Sequence, residues 1–215
     1  MQKSVPSIVV LISGRGSNLS AILAHSKTSG EYRVAAVISN RPDAAGLQFA
    51  QNQGIPTAVV DHKQFEGREP FDTALAAQID AFNADLVVLA GFMRILTPGF
   101  VSHYEGRLLN IHPSLLPAFP GLNTHQQALD AGVRLHGVTV HLVTAQLDHG
   151  PILDQAIIQV RPGDTAQTLA ERLLVLEHQI YPRAIAAFLN GQIRVENGHV
   201  KGGLIAPLIF ELERP

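Results

Sequence analysis

The sequence predicts an α/β fold with a doubly wound, mostly parallel open sheet. Short, continuously apolar runs of strand length alternate with segments of helical spacing through the first half of the chain. This alternation is typical of parallel strands joined by crossover helices. The 215 residues, of which 46% are hydrophobic, are enough to bury a core within one domain.

The N-terminal half is predicted to follow the order β-α-β-α-β-α-β. Its first strand is apolar and β-branched throughout, which suits a strand covered on both faces. Asn18 is expected to cap the first helix, and Pro70 to begin the third. The predicted strands cover residues 7–13, 34–38, 57–60 and 85–90, and the predicted helices cover residues 18–24, 43–52 and 70–82.

The C-terminal half has a different residue pattern, which predicts an antiparallel strand. Residues 138–143 alternate in polarity, as a half-buried strand does, and Asn197-Gly198 marks a short hairpin. Strands are predicted over residues 108–111, 138–143 and 152–160, and helices over residues 126–131 and 165–189. Because we find no repeat, low-complexity stretch or linker, we expect one domain over residues 1–215.

Composition restricts the possible partners. A net charge of -2 gives no broad basic surface for nucleic acid or an anionic membrane, so an anionic ligand needs a local site. The absence of cysteine excludes disulfides, thiol nucleophiles and Cys-ligated zinc. No apolar run reaches the roughly 18 residues of a membrane span, and Arg15 and Asn18 interrupt the N-terminal run too early for a signal peptide. We therefore expect a cytoplasmic protein that is a monomer or a homodimer.

The segment Gly14-Arg15-Gly16-Ser17-Asn18 lies between the first strand and the first helix. A glycine turn at a helix N-terminus can direct backbone N–H groups at one anion, typically a phosphate. The segment is not a Walker loop, and no acidic ribose ligand follows the second strand, as a dinucleotide site would require. A plain tight turn is the alternative interpretation.

Asn110 and His112 end a predicted strand, and Asp148 lies in a turn between two others. Residues i and i+2 of a strand share a face, so Asn110 and His112 can together stabilise a developing oxyanion. A structural histidine is the alternative. Asp148 followed by Gly150-Pro151 is ordinary turn chemistry unless it faces His112, where it could orient and charge the imidazole.

The other histidines do not suggest a metal site. His136 and His141 are five positions apart beside a strand, on opposite faces, and no HExxH-type pair or GxSxG elbow is present. The apolar residues after Gly91 can line a pocket for a flat ring, although core packing is the commoner role. Glu177, on the long C-terminal helix, can face solvent or bind sugar hydroxyls.

Several motifs together resemble the phosphoribosylglycinamide formyltransferase family. They are ISGRGSN, DLVVLAGFMRIL, LLNIHPSLLP, and LDHGPIL followed by EHQIYP, in that family's order between residues 7 and 183. The NIHPSLLP segment is shared with the wider folate-dependent formyltransferase group. The resemblance implies a Rossmann-like formyltransferase fold. It also implies formyl transfer from the co-substrate 10-formyltetrahydrofolate to the amine of glycinamide ribonucleotide in de novo purine biosynthesis, without a metal.

The resemblance also implies roles for individual residues. Residues 1–105 would form the half that binds the ribonucleotide phosphate, residues 106–195 the catalytic and folate-binding half, and residues 196–215 a tail. The implied site residues are Asn110, His112 and Asp148 for catalysis; Gly16, Ser17, Asn18 and Glu177 for glycinamide ribonucleotide; and Arg68, Met93, Arg94, Ile95, Leu96 and Asn110 for 10-formyltetrahydrofolate. Arg15, inside the turn, and His149, after the catalytic aspartate, depart from the family pattern.

Three other functions are weighed against this one. A 10-formyltetrahydrofolate hydrolase (deformylase) shares the catalytic set, with water as the acceptor, but usually has an additional N-terminal domain. A methionyl-tRNA formyltransferase needs a further C-terminal domain and a basic surface. A non-catalytic nucleotide- or folate-binding module would not need Asn110, His112 and Asp148 together.

Overall fold

The computed structural model describes residues 4–202 and the backbone of residues 208 and 209. The chain divides into two compact units, one that ends at Asn110 and one that begins at Ile111. This boundary lies close to the predicted division between residues 105 and 106. The single domain and its named halves stay predictions.

The first unit contains parallel pairs formed by five strands. Its strands are β1 (Ser7–Ile12), β2 (Arg33–Ser39), β3 (Thr57–Val59), β4 (Leu86–Leu89) and β5 (Leu108–His112), the last of which runs across the boundary. Strand β1 pairs in parallel with both β2 and β4, β3 extends the sheet beyond β2, and β5 pairs with β4. Every residue of β1 and β4 is buried, as predicted for strands covered on both faces. The order β5-β4-β1-β2-β3 therefore confirms the predicted doubly wound arrangement.

Helices connect these strands, and one of them was not predicted. They are α1 (Ser17–Ser29), α2 (Ala45–Asn52), α3 (Arg68–Asp80) and α4 (Pro98–His103). Helix α4 begins with a proline after Thr97, whose hydroxyl accepts from the Phe100 backbone N–H at 3.3 Å. The Thr97-Pro98 pair is a readable start signal, but only six residues follow it, which is too short for a clear helical pattern.

The prediction that Asn18 caps α1 is wrong. The helix begins one residue earlier, after Gly16, whose left-handed φ of 77° takes the N-cap position without any side-chain cap. Asn18 lies in the first turn and is buried. Glycine adopts this conformation without the steric penalty of a side chain, so the backbone turn itself starts the helix.

The second unit contains the antiparallel pair. Its elements are α5 (Thr124–Asp130), β6 (Leu135–Leu142), β7 (Ile152–Gln159), α6 (Ala166–Leu189), β8 (Ile193–Glu196), β9 (His199–Gly202) and β10 (Leu208–Ile209). Strands β6 and β7 pair antiparallel, which confirms the predicted antiparallel strand, and β10 pairs in parallel with β7. The predicted hairpin at Asn197-Gly198 is the turn between β8 and β9.

The strand predicted over residues 138–143 forms as part of β6, but the prediction that it is half-buried is wrong. From Val138 to Leu142 every side chain of β6 is buried, including the polar ones. Thr139 is accommodated because its hydroxyl donates to the Ser114 carbonyl oxygen at 2.7 Å and accepts from the Leu116 N–H at 3.0 Å. Polar alternation thus reflects satisfied buried hydrogen bonds rather than solvent exposure.

Helix α6, with 24 residues, is the longest of the described helices. Thr165 caps it through a reciprocal bond with Thr168. In the part of the chain that the structure describes, neither α6 nor any other helix has the length and apolarity to cross a membrane.

The start of α2 packs closely against the glycine turn before α1. The Gly46 N–H donates to the Gly14 carbonyl oxygen at 3.1 Å. A Cβ at Gly46 would lie only 2.6 Å from the Ile12 Cδ1 atom and 3.3 Å from the Gly14 oxygen. A side chain at this position requires the end of the Ile12 side chain to move and the turn to shift by a few tenths of an ångström.

We predict that Gly46→Ala lowers the free energy of unfolding by about 1–3 kcal/mol, the usual cost of overpacking. Urea denaturation measures the change. Gly99→Ala, in α4, is the matched control, because its added Cβ meets only the Thr97 Oγ1 atom at 4.0 Å. Similar losses in the two variants would mean that the close packing at Gly46 does not restrict the turn.

Candidate active site

The glycine turn opens onto a cavity of about 370 Å³ in the first unit. Residues 14–18, including the predicted Gly16, Ser17 and Asn18, line it at the carboxyl end of β1. Its charged lining residues are Arg15, Arg41 and Arg94, of which Arg41 is paired with Asp43 through two hydrogen bonds of 3.0 and 2.7 Å. The cavity therefore suits an anion although the chain as a whole is slightly acidic.

Sequence reasoning missed four polar residues of this cavity. Ser13 and Asn40 directly follow β1 and β2, and Arg41 and His62 lie beside them. Ligands of open α/β sheets bind outside the carboxyl ends of strands. That rule, applied to every predicted strand end, would have found Ser13 and Asn40.

The predicted folate-binding residues of the first unit do not all lie together. Met93 and Arg94 line the same cavity as the glycine turn. Met93 and Ile95 are exposed, at 71% and 61%, and Leu96 is half-buried. Arg68 is the exposed first residue of α3 and is not among the residues that line this cavity.

His112 and Asp148 approach each other in the second unit. The His112 Nδ1 atom lies 3.5 Å from Asp148 Oδ2, and each side chain is only 7% exposed. The other ring nitrogen, Nε2, lies 3.0 Å from the Phe119 carbonyl oxygen. Both neighbours are hydrogen-bond acceptors, so the His112 ring lies between a carbonyl oxygen and a carboxylate oxygen.

Asp148 is held by the backbone and lies near two imidazoles. Its Oδ2 atom accepts from the Gly121 N–H at 2.9 Å, and its Oδ1 atom lies 3.9 Å from His141 Nε2. The φ angle of Asp148 is 50°, in the left-handed region that aspartate tolerates better than most residues. Asp148 is thus both a turn residue and the partner of His112, so the two interpretations of the sequence are compatible.

Asn110 and Glu177 occupy separate elements. Asn110 lies two positions before His112 on β5 and is half-buried, so strand alternation directs both side chains to one face. Glu177 is half-buried on α6, in the second unit.

Burial lowers the pKa values of the other buried histidines. Burial first, and then the nearby His125 and His112, lower the pKa of His136 to about 4. His136 Nε2 lies 3.2 Å from His125 Nδ1, whereas His141 Nδ1 bonds the Leu142 carbonyl oxygen at 2.9 Å. These separate partners do not converge, and no group of three or more candidate ligands among the described residues could hold a metal ion.

Comparison with known proteins identifies the family. The sequence profile described as Formyl transferase matches residues 7–185, which include the glycine turn, His112 and Asp148. The chain belongs to the formyl transferase family.

Individual family members show which kind of formyl transferase this chain is similar to. The family member named phosphoribosylglycinamide formyltransferase from Escherichia coli (strain K12) is 51% identical over 88% of this chain and 90% of its own length. The trifunctional purine biosynthetic protein adenosine-3 of Bos taurus is 46% identical over 93% of this chain, but the match spans 20% of that protein. The structure of phosphoribosylglycinamide formyltransferase from Coxiella burnetii superposes with a TM-score of 0.89, at 47% identity, over 96% of this chain and 99% of that one.

The low pKa of His136 predicts an acid-sensitive stability of this formyl transferase. Below the ordinary histidine value of 6.5 the unfolded chain binds a proton at this position, but the folded chain does so only near pH 4. The stabilisation is therefore complete above pH 6.5 and lost as the pH falls toward 4, by on the order of 2 kcal/mol.

Urea denaturation at several pH values tests this. His136→Gln should flatten the dependence between pH 6.5 and 4, and His199→Gln, at an exposed histidine, should not. Equal slopes in the wild type and both variants would contradict the assignment.

Proposed function

We propose that this enzyme transfers the formyl group of 10-formyltetrahydrofolate to the amine of glycinamide ribonucleotide, giving formylglycinamide ribonucleotide and tetrahydrofolate. The observation that supports it most is the buried His112–Asp148 pair at the end of β5, two residues after Asn110. The similarity to phosphoribosylglycinamide formyltransferases over nearly their whole length supports the same acceptor.

The ribonucleotide phosphate is assigned to the glycine turn. The backbone N–H groups of Gly16, Ser17 and Asn18 begin α1 and lie at the cavity that the Arg15 side chain also lines. A helix N-terminus and guanidinium groups both favour a phosphate dianion. Glu177 is assigned to the ribose hydroxyls, because its carboxylate can accept hydrogen bonds from them.

The folate is assigned to the loop after β4. Met93 and Ile95 expose apolar surface there, which suits the flat pterin ring, and backbone groups of the same loop can bond its edge. Arg94, Leu96 and Asn110 complete this assignment. Arg68 is assigned to the folate as well, through its charge.

The proposed reaction begins with attack of the neutral amine on the formyl carbon. The new C–N bond gives a tetrahedral intermediate whose oxyanion accepts from the Asn110 amide and the His112 imidazolium. Asp148 stabilises that imidazolium and helps to take the amine proton through water. The C–N10 bond to the folate then breaks, N10 regains a proton, and formylated product and tetrahydrofolate leave. Exclusion of solvent from His112 and Asp148 strengthens each of these electrostatic interactions.

The enzyme is proposed to be cytoplasmic and to be a monomer or homodimer. It is proposed to work without a metal ion, nucleic acid or membrane. The net charge of -2 and the absence of cysteine support this setting.

A formyl-transfer assay with and without glycinamide ribonucleotide tests the function. We predict that loss of the formyl group from 10-formyltetrahydrofolate depends on the ribonucleotide and yields the formylated amine. Release of free formate at the same rate without the ribonucleotide would instead identify a deformylase.

We predict that Asn110→Ala and Asp148→Asn each reduce kcat by about 100–1,000-fold, because each removes stabilisation of the oxyanion or of the imidazolium. Stopped-flow and steady-state assays measure the loss. Asn52→Ala, at the exposed end of α2, is the matched control and should be unchanged. Near-full activity of Asn110→Ala and Asp148→Asn would refute the catalytic assignment.

Arg15 is predicted to strengthen phosphate binding, since its exposed side chain lines the cavity. Arg15→Ala should raise KM for glycinamide ribonucleotide about threefold to tenfold and leave kcat unchanged, as expected for one charge-assisted contact at an exposed site. Arg33→Ala, at the exposed start of β2, is the control. An unchanged KM would mean that Arg15 points away from the phosphate.

A further inference from the structure

A buried serine joins the two substrate-binding segments of the first unit. Ser13 follows β1, directly before the glycine turn, and is 6% exposed. Its hydroxyl oxygen accepts from the Met93 backbone N–H at 2.8 Å, and the hydroxyl donates to Asn40 Oδ1 at 2.5 Å. One hydroxyl therefore links the ends of β1 and β2 to the loop after β4.

Asn40 is itself fixed from the other side. Its backbone carbonyl oxygen accepts from His62 Nδ1 at 2.8 Å and from the His62 N–H at 3.3 Å. Asn40 is only 2% exposed, so its side chain is confined when it accepts from Ser13. The buried Asn40 Oδ1 atom therefore gives the serine hydroxyl a defined acceptor.

Backbone hydrogen bonds hold the loop of residues 91–96 on both sides and at Met93. At its start the Ala90 N–H donates to the Leu11 carbonyl oxygen at 2.8 Å. After its end the Thr97 N–H donates to Asp72 Oδ2 at 2.6 Å. The bond from Met93 to Ser13 lies between them, next to the exposed side chains assigned to the pterin ring.

We propose that Ser13, held by Asn40, is a positioning residue that sets the loop of residues 91–96 for the reduced folate. This inference rests on the proposed function, and on the assignment of Met93 to Leu96 to the folate. Loss of the hydroxyl leaves the Met93 N–H without its acceptor, which frees the loop while the glycine turn stays anchored by the bond between Gly46 and Gly14.

The same strand offers a matched control. Ser7, at the opposite end of β1, is 3% exposed, and its hydroxyl lies 3.3 Å from Asp85 Oδ2. Ser7→Ala thus removes an equally buried hydroxyl from β1, far from the cavity. Ser13→Thr keeps a hydroxyl between Met93 and Asn40 and tests whether that hydroxyl restores the function.

The kinetic experiment compares these variants in the full chain. Ser13→Ala should raise KM for 10-formyltetrahydrofolate about tenfold, the equivalent of one buried hydrogen bond, and change KM for glycinamide ribonucleotide less than about twofold. Ser7→Ala should change neither KM, and Ser13→Thr should restore the folate KM at least in part. An unchanged folate KM in Ser13→Ala, or a selective rise in the ribonucleotide KM, would overturn the proposal.

Amide hydrogen exchange separates this inference from the proposed function. The Met93 amide should exchange about tenfold faster in Ser13→Ala than in the wild type or Ser7→Ala, whether or not the protein transfers formyl groups. Unchanged exchange at Met93 would refute the claim that Ser13 holds the loop, and would leave the proposed function untouched. Wild-type protein that neither binds nor consumes 10-formyltetrahydrofolate would refute the proposed function, and the folate role of Ser13 with it.

Discussion

Parallel pairing of β1 with β2 and β4 is the constraint on which the rest of the first unit depends. The registers place Leu11 opposite both Ile38 and Leu89, so the three strands end almost level with one another. The residues that follow them, Ser13, Asn40 and the loop after β4, therefore meet at one edge. The pairing of the buried apolar strands thus determines where the polar residues at their ends lie.

The electrostatics of the enzyme are local rather than global. The whole chain has a net charge of -2, yet the charged residues of the cavity are all arginines. The carboxylate of Asp148 is buried with the imidazole of His112 instead of facing water. Short-range arrangement of a few charges in a place of low solvent access can therefore select an anionic substrate and stabilise a developing oxyanion without a charged surface.

The sequence predicts the strands and most helices well because their signals are local, but contacts between distant segments are not readable from it. Apolar runs mark β1 and β4, and the capping residue Thr165 and the long apolar face mark α6. The bond from Met93 to Ser13 joins residues 80 positions apart, so no local pattern indicates it. Likewise, Asp148 looks like a turn residue until the fold brings it to His112.

A crystal structure with glycinamide ribonucleotide bound is the most direct test of where the phosphate and the amine lie. The phosphate is expected within about 2.7–3.2 Å of the backbone N–H groups of Gly16, Ser17 and Asn18, which is normal hydrogen-bonding distance. The glycinamide amine is expected to point toward the Asn110 amide. A phosphate bound away from the glycine turn, or an amine directed away from Asn110, would contradict these assignments.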